Sequence, residues 1–283
     1  MTYIRTKHSG LNYLSKQYNK ALAECKSPLV AILEGDDYWP RSKLERQLSR
    51  FESSGCVLSY GVAGLVGARG EKIGRPKRFP RNTQLLCNEP RGRILQRLII
   101  DCFIPSPTVM IRRDALDQVG GFRQAPGSLA VDFFTYFHLS FTGKFLFLPM
   151  VLGYSRRHPG AASSRPTLEH WNITIRYAIN YLKSCNERDL SPRYLNSIID
   201  HERDYFVSVE RYNAFSNART SLLKGQWASA RRQFRNLLRC GSGQIESLSI
   251  VGLVGAYLHF NVESLLNLSL GVFPLSSDTS KEE

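Results

Sequence analysis

The stretch that most constrains what this chain can fold into is Leu29 to Trp39, LVAILEGDDYW. Five apolar residues run directly into Glu34, Gly35, Asp36 and Asp37, followed by Tyr38, Trp39 and Pro40. A continuous Val, Ile and Leu run reads as a strand buried on both faces, as in a parallel sheet. In an open α/β sheet the ligand crevice lies beyond the carboxyl ends of the strands. Glu34, Asp36 and Asp37 at such an end repel one another unless a positive charge, commonly a divalent cation, stands between them. On these residues alone two readings stay open: a metal site, or a solvated acidic turn that ends the strand.

The flanking pattern supplies the layers. Leu11, Leu14, Tyr18, Ala21, Leu22 and Cys25 share one helical face, and Pro28 separates that helix from the strand. After Pro40, Leu44, Leu48 and Phe51 recur at helical spacing, and Cys56 to Tyr60 reads as a strand. This alternation predicts an α/β domain, a parallel sheet with helices packed on it. Only Tyr3 and Ile4 precede the first helix as strand material. The β-α-β unit that normally opens a nucleotide-binding half-sheet is therefore not expected in this chain.

Charge narrows the partners. A formal net charge of +14 over 283 residues predicts attraction to anions. Arg69, Lys72, Arg75, Lys77, Arg78, Arg81, Arg91, Arg93 and Arg97 stand against only Glu71 and Glu89 in a Gly- and Pro-punctuated run. That run reads as a solvated loop in preference to a dedicated anion site. It matches no nucleic-acid module, so no nucleic-acid partner is expected. The six cysteines (25, 56, 87, 102, 185 and 240) form no CxxC pair, which indicates neither zinc nor a disulfide framework. They suit a reducing compartment, and the polar start MTYIRTKHSG does not read as a signal peptide. The expected location is cytoplasmic.

Further along, Thr108 to Ile111 reads as a short strand, and Asp114 to Val119 as a short helix closed by Gly120 and Gly121. Asp132 lies in LAVDFFTYFHLSF, where an ionised carboxylate among aromatics is costly if buried. It either faces a polar cleft or sits exposed or as a cap at the start of that helix. Phe145 to Ser155 reads as a strand, followed by RRHPGAAS with His158 in a loop. Beyond Pro166 the chain turns helical, with one helix-turn-helix repeat-like unit at 218–238 turning at Gly225, and a polar tail. A division into domains 1–165 and 166–283 follows. Ser247 to Val262 holds no Asp, Glu, Lys or Arg, but is short of the ~20 residues of a membrane span. A buried or membrane-surface helix is favoured.

Taken in order, four segments resemble the family 2 glycosyltransferases of GT-A fold. They are NKALAECKSPLVAILEGDDYWPRSKLERQL, PTVMIRRDALDQVGGF, LAVDFFTYFHLSFTGKF and YSRRHPGAAS. The resemblance covers roughly residues 5 to 165 and implies a GT-A-like, Rossmann-like mixed sheet with flanking helices, lacking the usual N-terminal portion, plus the C-terminal helical region. By resemblance, Asp36 is a metal ligand and His158 a further one, for Mn²⁺ or Mg²⁺. Glu34, standing where the family usually has Asp, and Asp37 help hold nucleotide ribose or metal-bound water, with Asn12 and Asn19 near the nucleotide. Asp132, preceded by Val131 instead of a second acid, is the general base. The implied activity is inverting transfer from a nucleotide-diphosphate sugar to a glycan or lipid-linked acceptor. The basic run after Arg69 and the apolar segment after Ser247 suggest an acceptor at the cytoplasmic membrane face, with peripheral contact there. The alternative is a catalytically inactive relative that retains sugar or partner binding.

Overall fold

The structure is a computed structural model, and it describes residues 3–6, 10–67, 69–72, 86–100, 102–156, 168–184, 191–239, 244–260 and 262. The chain forms two compact units that divide within one long helix, between Phe206 and Val207.

The first unit is built on a four-stranded sheet. Its strands are β1 (Leu29–Ala31), β2 (Leu58–Val66), β3 (Met110–Arg112) and β4 (Phe145–Arg156), in the order β1-β3-β2-β4. The expected buried parallel strand is corrected here. β1 lies at one edge of this sheet, pairs antiparallel with β3, and each of its three residues is only half-buried. β3 is antiparallel to β2 as well, and the parallel pairing is between β2 and β4. The sheet is therefore mixed, and among the described residues only β3 pairs with β1. β2 also runs through the Gly-rich stretch. At Gly64 the Tyr154 ring of β4 lies so close that a Cβ would stand 2.6 Å from its Cδ1.

Helix α1 (Leu14–Glu24) precedes β1, and α2 (Lys43–Phe51) follows the acidic turn. The apolar spacing places Leu44, Leu48 and Phe51 on one face of α2, yet Leu44 and Leu48 are 47% and 38% exposed. The face that packs on the sheet is Lys43, Gln47 and Phe51, all buried. This inversion is possible because the polar groups are satisfied. Gln47 Nε2 donates to the Thr108 carbonyl at 2.9 Å and to Ser59 Oγ at 2.9 Å. Lys43 Nζ donates to Gln47 Oε1 at 2.8 Å and lies 4.4 Å from the centre of the Trp39 ring. Burial lowers the Lys43 pKa to about 8.

Helix α3 (Leu95–Ile100) follows the basic run, and α4 (Arg113–Gln118) follows β3 and ends at Gly120 and Gly121. Helix α5 (Val131–Leu139) is buried at every position except Asp132. Its aromatic side is covered by α6 (Leu168–Ser184). Phe134 meets Tyr177 edge-on at 4.8 Å, Phe137 meets Tyr181 at 5.5 Å, and His138 shares a 2.6 Å hydrogen bond with the Tyr177 hydroxyl. Burial lowers the His138 pKa to about 4, with Arg123 assisting. Helix α7 (Pro192–Asp200) returns to α3, where the Tyr194 hydroxyl donates to the Arg93 carbonyl at 2.9 Å.

Helix α8 (Glu202–Leu223) starts in the first unit and continues into the second. There it joins α9 (Trp227–Arg239) and α10 (Gln244–Tyr257) around Phe215, Ala218, Leu222, Phe234 and Leu237. Gly225, at φ +67°, makes the expected turn between α8 and α9. No described helix is long and apolar enough to cross a membrane.

The α2 packing gives the first prediction. Gln47→Ala strands the Thr108 carbonyl, Ser59 and the Lys43 ammonium in the core, and costs on the order of 3 kcal/mol. Leu48→Ala, on the exposed side, costs less than about 1 kcal/mol. Urea unfolding midpoints of the two variants measure the difference, and their order is the reverse of the one hydrophobic spacing alone implies.

Candidate active site

The acidic turn is closed by the Asp37 N–H, which donates to the Glu34 carbonyl at 3.2 Å. It is then tied to the end of β4. Tyr38 and Tyr154 exchange backbone hydrogen bonds at 3.3 and 2.9 Å, and their rings stack at 4.6 Å with 14° between planes. The Arg156 backbone N–H donates to Asp37 Oδ1 at 2.9 Å, and its Nε donates to the Asp36 carbonyl at 2.8 Å. Its Nη1 reaches the Gly67 carbonyl at 3.3 Å, which joins the turn to the end of β2 as well. On the exit side the Trp39 indole donates to the Pro107 carbonyl at 2.8 Å.

Helix α1 contributes two neighbouring side chains with different tasks. The Tyr18 hydroxyl donates to Glu34 Oε1 at 3.0 Å, and its ring packs edge-on against Phe122 at 5.0 Å. Asn19 clasps the backbone of Phe122: its Nδ2 donates to the carbonyl at 2.8 Å, and its Oδ1 accepts the N–H at 2.7 Å. The preceding residue must be glycine. Gly121 has φ +83°, and a Cβ there would stand 2.3 Å from Asn19 Oδ1.

Asp132 enters from the first turn of α5. Its Oδ1 accepts the Phe133 N–H at 2.8 Å. Burial raises its pKa, opposed by backbone hydrogen bonds and by one from Cys102. Asp132 lies in the first turn of the helix, whose N-cap is Ala130, and is the one residue of α5 that is not fully buried. Tyr136, one turn on, is fully buried. Its hydroxyl has no partner of hydrogen-bonding geometry, although Ser106 is near enough to ease its ionisation slightly. Burial and then the charge of Asp132 hold the Tyr136 pKa well above the ordinary range.

Glu34 sits where these groups meet. Burial raises its pKa to about 7; the Tyr18 hydrogen bond lowers it, and the charges of Asp132 and Asp37 push it up. Its second oxygen, Oε2, is buried without a hydrogen-bond partner. A carboxyl group in this state exchanges protons near neutral pH and has one oxygen directed to nothing in the protein.

Of the residues singled out in the sequence, Glu34, Asp37 and Asp132 come together, and Asp36 lies in the same turn. Asn12 is exposed in the 3₁₀ turn Leu11–Tyr13 that leads into α1. Both amide atoms of Asn19 are engaged by Phe122, so here it positions the GGF turn. His158 lies outside the described residues. Among the described residues no group of three or more His, Cys, Asp or Glu side chains is placed to hold a metal ion. Four contributors were not evident in the sequence: Tyr18, Cys102, Tyr136 and Arg156. Tyr18 reads there as one more apolar position of α1, while Arg156 lies within the YSRRHP segment.

Known proteins bear on this geometry. Residues 2–120 match the model described as Glycosyl transferase family 2. A putative teichuronic acid biosynthesis glycosyltransferase of Bacillus subtilis, TuaG, is 30% identical over 101 residues, which is 36% of this chain and 36% of that protein. That match thus spans little more than a third of the curated relative. The crystal structure of S. aureus TarS superposes with a TM-score of 0.50 at 15% identity, over 92% of this chain and 43% of that one. A complex of TarS residues 1–349 with UDP-GlcNAc gives 0.48 at 16% identity, over 88% and 68%. Residues 2–120, about two fifths of the chain, are thus similar to glycosyl transferase family 2, and the fold is similar to that of TarS.

The Glu34 environment has a measurable consequence. With a folded pKa of about 7 against an ordinary 4.5, the folded state holds the extra proton between those values. Stability therefore falls as pH rises from about 4.5 to about 7 and stays at its lower level above. Glu34→Gln removes that loss, worth up to about 3 kcal/mol at pH 8, and changes little near pH 4. Tyr18→Phe removes the bond that favours the ionised form and moves the Glu34 titration above neutral, which carboxyl-carbon NMR of the labelled protein follows directly.

Proposed function

From that likeness we propose that the chain is an inverting glycosyltransferase that moves a sugar from a nucleotide-diphosphate donor to a glycan or lipid-linked acceptor. The observation that carries the reading is the convergence of Glu34, Asp37 and Asp132 beside the Tyr18 hydroxyl. An acceptor sugar hydroxyl is a weak nucleophile until a positioned base takes its proton. Asp132 is that base. Burial strengthens its hold on an arriving proton, and the Phe133 N–H fixes one of its oxygens. With the base on the face opposite the departing diphosphate, attack inverts the anomeric carbon.

The donor end is the acidic turn. Asp36, with His158, would hold Mn²⁺ or Mg²⁺, and such an ion offsets the negative charge of the leaving diphosphate. Asp37 and Glu34 take the ribose and the water around that ion, and the unpartnered Glu34 Oε2 is available for such a contact. Asn12, at the exposed entry to α1, flanks the nucleotide, whereas Asn19 serves it indirectly by setting the GGF turn. A lipid-linked acceptor would bring the protein to the cytoplasmic face of a membrane.

The test uses a panel of UDP-, dTDP- and GDP-sugars with and without Mn²⁺, read by calorimetry and by release of nucleoside diphosphate. One donor is expected to bind in a Mn²⁺-dependent manner, and Asp36→Ala to abolish that binding. Asp132→Asn should leave binding intact and slow transfer by about a thousandfold. Binding without turnover on any glycan would favour the non-catalytic sugar binder, and binding of no donor would overturn the reading.

A further inference from the structure

Helix α10 carries an apolar ridge on its outer side. Ile250, Val254 and Tyr257 are 52%, 51% and 51% exposed and follow one another at helical spacing. Leu258 and Phe260, just past the helix end, are 72% and 64% exposed. The other side of α10 is committed to the core, where Leu248 and Ala256 are buried and a Cβ on Gly252 would stand 2.3 Å from Phe234 Cζ. The outer side chains are thus surplus to folding, and leaving this much contiguous apolar surface in water carries a standing cost.

The ridge has a basic margin. The Arg231 and Arg235 guanidinium groups of α9 lie 5.3 and 5.5 Å from the Tyr257 ring centre, and Arg235 is also hydrogen-bonded to the Tyr257 hydroxyl. Arg232 and Arg239 are exposed on the same helix. From Val207 to Glu263 the sequence holds Arg211, Arg219, Lys224, Arg231, Arg232, Arg235 and Arg239 against Glu210, Glu246 and Glu263.

We propose that this face of the second unit docks on an anionic lipid bilayer. Helix α10 lies in the plane of the interface with Ile250, Val254, Leu258 and Phe260 in the acyl boundary, and the α9 arginines sit against lipid phosphates. Spanning is ruled out by length: fourteen residues rise about 21 Å, against a hydrocarbon core of about 30 Å. A second copy is a poor occupant, because the same basic margin would line both sides of a two-fold contact and bring no fixed negative charge to the α9 arginines. The bilayer supplies both an apolar layer and fixed negative charge. The inference goes beyond the transfer reaction and does not depend on it.

Co-sedimentation of the full chain with vesicles tests this without donor or acceptor. Vesicles containing about a third phosphatidylglycerol should carry the protein down, vesicles of phosphatidylcholine alone should not, and raising salt to about 0.5 M should weaken the binding. The double change Leu258→Ser and Phe260→Ser should lower the partition coefficient about tenfold or more, and Arg232→Gln about fivefold. All these side chains are exposed, so unchanged melting temperatures check that the variants remain folded. Equal partition of the variants, or no binding to anionic vesicles, overturns the proposal. So does a dimer in light scattering that the Ser variants abolish, since a second copy would then own the ridge. Donor calorimetry on the same samples separates loss of docking from failure of the glycosyltransferase reading.

Discussion

The site depends on how an edge segment is held. β1 is three residues long and paired on one side, so it cannot by itself fix the turn that follows. The anchor is the far end of β4. The two-way backbone exchange between Tyr38 and Tyr154 grips the chain after the acids, while Arg156 gives its backbone N–H to the Asp37 carboxylate and its guanidinium to the Asp36 and Gly67 carbonyls. Gly64 is what admits the Tyr154 ring to this position. A turn rich in carboxylates is thereby ordered largely through its backbone.

Against that frame the side chains divide the acidity of the site. Burial alone would push both Glu34 and Asp132 towards the protonated form, and the charge of Asp132 pushes Glu34 further the same way. Tyr18 works in the opposite sense by donating to the ionised Glu34. The Asn19 clasp on Phe122 matters at one remove: it holds the GGF turn against α1, and the Tyr18 ring packs on the same Phe122. Adjacent residues of one helix therefore serve the site through a hydrogen bond to an acid and through the shape of a distant turn.

How much of this was legible in the sequence follows from what each inference rested on. β4, α4 with its glycine stop, and the Gly225 turn depend on local pattern and emerged close to their observed bounds. Motif order singles out Glu34, Asp37 and Asp132, and the charges of Asp132 and Asp37 do act on Glu34. β1 was misread as a doubly buried parallel strand, because an apolar run does not reveal which partner lies beside it. The face of α2 was misread because Lys43 and Gln47 are polar. Their burial is possible only with acceptors on Ser59, Thr108 and Val109, which are remote in sequence. Tyr18, Cys102 and Tyr136 went unnoticed for the same reason: their significance is a neighbour, not a pattern.

The aromatic seam between α5 and α6 has a consequence for anyone who would dissect the chain. Phe134, Phe137 and His138 stand on the helix that carries Asp132, and their cover is Tyr177 and Tyr181, beyond the segment with family resemblance. A piece trimmed at the end of that resemblance would lay bare a slab of rings directly behind Asp132 and invite aggregation. The smallest portable module with an intact seam has to extend through α6. Because α7 returns to Arg93 beside α3, a practical cut belongs after α7.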